Sequence, residues 1–94
     1  KYAHDQETLF KIGARRNKLL GQWMAGQLGL NGADAEAYAK AVVVSDFEKP
    51  GEEDVFEKVW ADVQSKGLGL TEDQVRQKMR DLLETAREQV TSEV

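Results

Sequence analysis

The chain has 94 residues, of which 32% are charged, and its formal net charge is −4 at pH 7. A chain of this length forms one domain with a modest core and leaves no room for a deep catalytic cleft. Its acidic balance disfavours a nucleic-acid surface, and the absence of cysteine excludes disulfides, thiolate metal sites and a cysteine nucleophile. No apolar run approaches the roughly 18 residues of a membrane span and no signal peptide opens the sequence, so we expect a cytoplasmic protein without membrane insertion.

The first predicted helix runs from about Tyr2 to Leu28. Its apolar residues recur at helical spacing and are expected to face the core. They form one stripe: Leu9, Ile12, Leu19, Leu20, Trp23 and Met24. The opposite side of this helix carries polar residues: Lys11, Arg15, Lys18 and Gln22.

A difference in helix length predicts an arm at the N-terminal end. At about 1.5 Å per residue, the first helix would span about 40 Å and the others about 22–33 Å. Shorter helices leave its first turns uncovered, and residues 1–8 carry little apolar surface. We therefore expect residues 1–8 to form a flexible or protruding arm, either frayed or ordered on a partner, with Gly13 as a hinge.

The second predicted helix, from Ala33 to about Phe47, follows a break in the apolar pattern. Asn31 is the expected N-cap of this helix, and Pro50 and Gly51 are expected to end it. Its core-facing residues are expected to be Ala35, Tyr38, Ala39 and Val42.

The third predicted helix, from Glu52 to Lys66, opens with acidic residues that favour a helix N-terminus. Gly67 follows it, where a left-handed C-terminal cap favours glycine. The expected core face of this helix is Val55, Phe56, Val59, Trp60 and Val63.

The fourth predicted helix begins after a capping box from Thr71 to Gln74 and runs to about Glu93. Its expected core face is Val75, Met79, Leu82, Leu83, Ala86 and Val90. Four amphipathic helices with short connections predict a single domain over residues 1–94. The predicted fold is an all-α four-helix bundle with a long, partly protruding first helix.

Arg16 falls inside the apolar stripe of the first helix. A buried charge needs a partner, and a guanidinium group suits buried pairing. One expectation is an ion pair with Glu84 or Glu88, or stacking on Trp23. The alternative is an anion or nucleotide-phosphate site built from Arg15, Arg16 and Lys18, although neither GxxxxGK[ST] nor GxGxxG occurs.

Metal binding finds weak support in the acidic residues between the second and third helices. Five residues match the ligand and glycine positions of an EF-hand loop: Asp46, Glu48, Gly51, Asp54 and Glu57. Pro50 takes the fifth position, where a side-chain ligand is needed, and Glu53 takes the eighth, where the motif is apolar. We therefore expect an acidic turn and no metal site.

Catalytic chemistry finds no assembled set of residues in the sequence. His4 is the one histidine and has no nucleophile arranged around it, and neither HExxH nor a paired Glu-x-x-His motif occurs. We expect no catalytic residues, no cofactor and no enzymatic activity.

Two signatures in fixed order carry a family resemblance. The first is Ala-Arg-Arg-Asn, then Leu-Leu-Gly and a tryptophan, at residues 14–17, 19–21 and 23. The second is Ala-Tyr-Ala-Lys, Val-Val, Asp-Phe-Glu-x-Pro-Gly and Glu-Asp-Val-Phe, at residues 37–40, 42–43, 46–51 and 53–56. Together they resemble the zeta subunit of the alphaproteobacterial F-type ATP synthase, an inhibitor of ATP hydrolysis, and the resemblance extends from Tyr2 into the last helix.

The resemblance implies a regulatory subunit whose partners are the catalytic alpha and beta subunits and the central rotor of the synthase. The bundle would dock on the catalytic head, and an N-terminal arm would insert at an alpha/beta interface and stop rotation in the hydrolytic direction. The residues expected at the inhibitory contact are Tyr2, His4, Leu9, Phe10, Lys11 and Arg15. We expect a monomer when the protein is free, located at the inner membrane only through the synthase.

The sequence departs from the family pattern at its start. The resemblance implies an acidic and basic stretch, ahead of Lys1, that carries most of the inhibitory determinants. Only its continuation, Lys1 to about Lys11, is present, so the native N-terminus is expected to be missing or processed. Two alternatives stay open: a bundle that responds to ATP, ADP or another small ligand, and an adaptor bundle with a different protein partner.

Overall fold

Four α-helices make up the residues that the computed structural model describes, 6–48 and 52–92, with side chains described over 7–45 and 55–92. In chain order they are α1 (Gln6–Gln27), α2 (Gly32–Glu48), α3 (Glu52–Lys66) and α4 (Glu72–Ser92). Each helix packs on its neighbours in sequence, and α1 and α4 close the ring. The predicted all-α four-helix bundle is confirmed.

The C-terminal ends of α1 and α3 have the same hydrogen-bonded cap. After α3, Gly67 takes a φ of 60°. Its amide donates to the Gln64 carbonyl at 3.3 Å, and the Leu68 amide donates to the Val63 carbonyl at 3.1 Å. This pair of bonds is a Schellman motif, and its left-handed position favours glycine. The predicted cap at Gly67 is confirmed, and Gly29 (φ 77°) ends α1 in the same way.

The N-terminal ends of α2 and α4 have the caps that the sequence predicted. The Thr71 amide donates to Gln74 Oε1 at 2.9 Å, and the Gln74 amide donates to Thr71 Oγ1 at 3.1 Å, which confirms the predicted capping box. The Ala35 amide donates to the Asn31 carbonyl at 3.4 Å, so Asn31 stands at the cap position of α2. The predicted turn at Pro50 and Gly51 lies outside the described residues.

The core is divided into two clusters of buried side chains. The larger one joins all four helices and contains Leu20, Met24, Val42, Val55, Phe56, Val59, Val63, Val75 and Met79. The smaller one joins the N-terminal half of α1 to the C-terminal half of α4 and contains Ile12, Ala86 and Val90. The predicted core faces of α2, α3 and α4 are buried or half-buried as expected.

Leu9 corrects the predicted stripe of α1, because its side chain is 54% exposed. The register of α1 against α2 explains this result. The two helices approach most closely at Gly21, where an added Cβ would stand 2.6 Å from the Ala39 Cα. Leu9 lies twelve positions before Gly21, whereas α2 continues for only nine positions beyond Ala39. In an antiparallel pair, α2 therefore ends before it reaches the level of Leu9.

The expected flexible or protruding arm, residues 1–8, overlaps the start of α1. The helix begins at Gln6, and Thr8 is already buried against the bundle. Residues 1–5 of the expected arm lie outside the described residues. With 22 residues, α1 is the longest of the four helices, and α4 follows with 21.

The connection between α2 and α3 does not match an EF-hand loop. Asp46 and Glu48 belong to α2, and Asp54 and Glu57 belong to α3, so only residues 49–51 separate the two helices. A calcium loop of this type needs about twelve residues between its helices. Over the described residues, no group of three or more acidic or histidine side chains is placed to hold a metal ion.

None of the helices within the described ranges is both long enough and apolar enough to cross a membrane.

Candidate functional site

The first three turns of α1 place large apolar side chains on the surface of the bundle. Thr8 and Ile12, one helical turn apart, are buried on the inner face. Successive helical residues point about 100° apart, so the residues between them turn outward. Leu9 is 54% exposed and Phe10 is 60% exposed. These two neighbours are the largest apolar side chains exposed in the described part of the chain.

A cavity of about 330 Å³ adjoins this segment. Its lining comes from α1, α2 and α4: Phe10, Lys11, Ala14, Arg15, Lys18, Val43 and Val90. The structure therefore brings together three of the residues predicted at the inhibitory contact, Phe10, Lys11 and Arg15. Tyr2 and His4, which were predicted at the same contact, lie outside the described residues.

Arg15 is held in place by α4. Its Nη1 donates to Gln89 Oε1 at 2.9 Å, and the contact is half-buried. Lys11 and Lys18, at the spacing that places them on the same side of α1, are both exposed. The cavity thus has a positively charged wall in which one cation is fixed and two are solvated.

Arg16 points into the bundle, as the sequence predicted, and is 5% exposed. Its Nε donates to Asn17 Oδ1 at 2.7 Å in a buried side-chain hydrogen bond. Of the expected partners, Glu84 and Glu88 are exposed, and Glu84 pairs with Arg87 on its own helix. The third, Trp23, has the ammonium of Lys78 above its ring, 5.5 Å from the centroid.

The proposed set of Arg15, Arg16 and Lys18 is divided by the fold. Arg15 and Lys18 line the cavity beside Phe10, whereas Arg16 is absent from its lining. Arg16 lies on the inner face of α1, between Ile12 of the smaller cluster and Leu20 of the larger one. An anion at the cavity would meet two of the three predicted cations.

Asn17 is a polar residue that sequence reasoning did not single out. It is 1% exposed, and its Nδ2 has no hydrogen-bond partner among the described residues. A buried amide donor without a partner is costly, so its presence needs a reason. The hydrogen bond to Arg16 gives a reason, because Asn17 Oδ1 accepts from one N–H group of the buried guanidinium. The signal in the sequence was its place directly after an arginine inside an apolar stripe.

A second polar contact ties α2 to α3 away from the cavity. The Tyr38 hydroxyl donates to Asp62 Oδ2 at 2.6 Å, and Lys58 Nζ lies 3.0 Å from the same oxygen. Burial raises the pKa of Tyr38 above its ordinary value, and the Asp62 carboxylate adds to this shift. The contact keeps Tyr38 neutral and fixes the packing of the two helices.

Comparison with known proteins gives the family. The sequence model of the family described as ATPase inhibitor subunit zeta matches residues 1–89. This chain belongs to the ATPase inhibitor subunit zeta family. Among solved structures, one determined by NMR in solution shares 46% sequence identity with this zeta-family chain and a TM-score of 0.77. The alignment covers 90% of this chain and 96% of the solved one. No curated protein sequence matches.

Membership in the zeta family supports an inhibitory, regulatory role and confirms the resemblance that the two sequence signatures indicated. It also agrees with the absence of an assembled catalytic set in the sequence.

Proposed function

We propose that this zeta-family chain binds the catalytic head of an F-type ATP synthase and slows ATP hydrolysis. The contact is made by the N-terminal part of α1, with the segment before it. The alpha and beta subunits and the central rotor are the proposed partners, on the cytoplasmic side of the membrane. The observation that carries the proposal is the exposure of Leu9 and Phe10 on a helix that is otherwise packed into the bundle.

Exposed neighbours of this size are typical of a contact surface. Aromatic side chains bury a large apolar area and are enriched at the centres of protein interfaces. Leu9 and Phe10 lie at the end of the bundle where α2 no longer covers α1, so a partner can reach them without opening the core.

The charges around Phe10 indicate which charge the partner surface should carry. Lys11 and Lys18 are exposed, and Arg15 is fixed by Gln89, so one side of Phe10 is positively charged. Positive side chains around an apolar anchor favour a partner surface whose rim is acidic.

The test is ATP hydrolysis by a purified alphaproteobacterial synthase head, titrated with the chain and with its Phe10→Ala variant. Val44→Ala is the matched control, because Val44 is 47% exposed and does not line the cavity beside Phe10. We expect Phe10→Ala to raise the half-inhibitory concentration by about tenfold and Val44→Ala to change it by less than about twofold. Equal inhibition by all three proteins would contradict the role of Phe10.

A second candidate function is binding of ATP or ADP, favoured by the presence of Arg15 and Lys18 on one cavity wall beside the Phe10 ring. Cationic side chains can bind the phosphate groups of a nucleotide, and an aromatic ring can stack on its base. Amide chemical-shift changes on adding ATP or ADP, confined to residues around this cavity and lost in Lys18→Gln, would support it. Shifts that are absent, or that persist in Lys18→Gln, would contradict it. A protein that binds neither nucleotide nor the synthase head would favour an adaptor role.

A further inference from the structure

A long groove runs along the outside of the seam between α1 and α2. Its volume is about 900 Å³, and it follows α1 from Lys18 to Gly26 and on to Leu30. At about 1.5 Å per residue, this is the length of roughly three helical turns. The groove is therefore large enough to hold a short helix against its whole length.

Small side chains form the floor of this groove. They are Ala25 and Gly26 of α1 and Ala35, Ala37 and Ala39 of α2. The close approach at Gly21 and Ala39 draws the two backbones together, and the alanines leave the space above them open. A helix can approach such a floor closely, because no long side chain holds it away.

The walls of the groove are positively charged in an acidic protein. Lys18 and Lys40 line it and are exposed, against the single acidic residue Glu36. Lys18 and Val43 also line the cavity beside Phe10, so the two surfaces are continuous along α1. The chain as a whole has a net charge of −4, so this side differs in sign from the rest.

We propose that the α1–α2 groove docks one amphipathic helix of the synthase head, with a narrow apolar stripe on the alanine floor and acidic residues beside Lys18 and Lys40. This inference rests on the proposed function in its choice of partner and adds a second docking surface to the Phe10 contact. Complementary charge selects the occupant. A second copy of this chain, docked groove to groove, would instead bring lysines together.

The first test compares two charge-reversed variants by their affinity for the purified synthase head, measured by fluorescence anisotropy of the labelled chain. Lys40→Glu changes the groove and leaves the lining of the cavity beside Phe10 as it is. Lys66→Glu makes the same change in net charge at an exposed position outside the groove. We expect the groove variant to bind about tenfold more weakly at low salt and the control to stay within about twofold.

The second test fills the groove without changing charge. Ala37→Trp places a large side chain on the floor of the groove, and Ala61→Trp places the same side chain at an exposed position of α3. We expect only Ala37→Trp to weaken binding, by about tenfold, with both variants retaining the helical circular dichroism of the parent. Ala37→Gln, a milder filling by a good helix former, repeats the comparison if the tryptophan variant loses helix.

A photo-crosslinking residue at position 37 then identifies the occupant. A crosslink to an acidic amphipathic helix of the head supports the proposal, whereas one to a non-acidic segment or to a second copy of the chain overturns it. If the parent chain binds the head and the groove variants bind as well as their controls, the groove proposal is wrong and the proposed function still stands. A parent chain that does not bind the head overturns both the groove and the proposed function.

Discussion

The two ends of α1 differ in how they are packed. Its C-terminal half contributes Leu20 and Met24 to a cluster that draws on all four helices. Its N-terminal half contributes Ile12 to a smaller cluster with Ala86 and Val90 of α4, against which Leu19 and Leu83 pack. Buried apolar area is the main source of stability in a domain of this size. The C-terminal half of α1 therefore contributes more to the stability of the fold than the N-terminal half.

A polar layer separates the two clusters. Arg16 and Asn17 are both buried at the junction, and Asn17 Nδ2 has no partner in the described part of the chain. Buried polar groups add little net stability and weaken the packing continuity on either side. The smaller cluster, next to exposed Leu9 and Phe10, is therefore the end of the bundle expected to open first.

The largest expected effect distinguishes the two clusters directly. Leu20→Ala removes a fully buried side chain from the larger cluster and should lower the free energy of unfolding by about 3–4 kcal/mol. Ile12→Ala should cost about 2 kcal/mol, because the smaller cluster is closer to solvent and collapses more easily. Urea denaturation followed by circular dichroism measures both. An equal or larger cost for Ile12→Ala would contradict the prediction that the larger cluster contributes more to stability.

The close approach of α1 and α2 at Gly21 gives the next largest effect. An added Cβ there would stand 2.6 Å from the Ala39 Cα, so Gly21→Ala should cost about 2 kcal/mol in spite of its better helix propensity. Gly13 is also helical but has nothing within 4 Å of an added Cβ. Gly13→Ala should therefore stabilise the protein by about 0.5–1 kcal/mol. Thermal denaturation of the pair checks both signs, and two shifts in the same direction would contradict this packing.

The polar layer is tested by a double-mutant cycle. Asn17→Ala leaves Arg16 Nε buried without its 2.7 Å acceptor and should cost about 1.5 kcal/mol. In the Arg16→Met background the same substitution should cost about 1 kcal/mol less, because the shared hydrogen bond is already gone. Chemical denaturation of the four proteins measures this coupling. Additive costs would show that the bond between these side chains contributes nothing.

The smallest effect lies at the contact between α2 and α3. Tyr38→Phe loses the 2.6 Å hydrogen bond to Asp62 and should cost about 1 kcal/mol at neutral pH. The pKa of Tyr38 is raised in the folded state, so the unfolded chain releases this proton first as the pH rises. The parent protein should therefore lose stability above about pH 10, and more steeply than Tyr38→Phe. Urea denaturation on both sides of that pH measures the difference, and parallel profiles would contradict it.

The sequence predicted the fold almost in full because its signals are local. The Thr71–Gln74 capping box and the glycine cap at Gly67 each depend on a few neighbouring residues and were confirmed. The burial of Arg16 followed from helical periodicity alone. These signals needed no knowledge of how the helices lie against one another.

The errors and omissions arose for features that depend on how the helices are aligned against one another. Leu9 has the spacing of a core residue, but its exposure depends on where α2 ends relative to α1. The groove over the alanines of α2 likewise depends on the approach at Gly21. Predicted contacts such as Phe10 and Lys11 were placed on one cavity by the fold, while their inhibitory role stays a prediction.

We expect one end of the bundle to hold the fold while the start of α1 binds the partner. Hydrogen–deuterium exchange of the chain, free and bound to the purified synthase head, tests it most directly. We predict fast exchange over residues 6–12 in the free chain and strong protection there on binding, with residues 55–63 of α3 slow in both states. Unchanged exchange over residues 6–12, or new protection centred on α3, would contradict the claim.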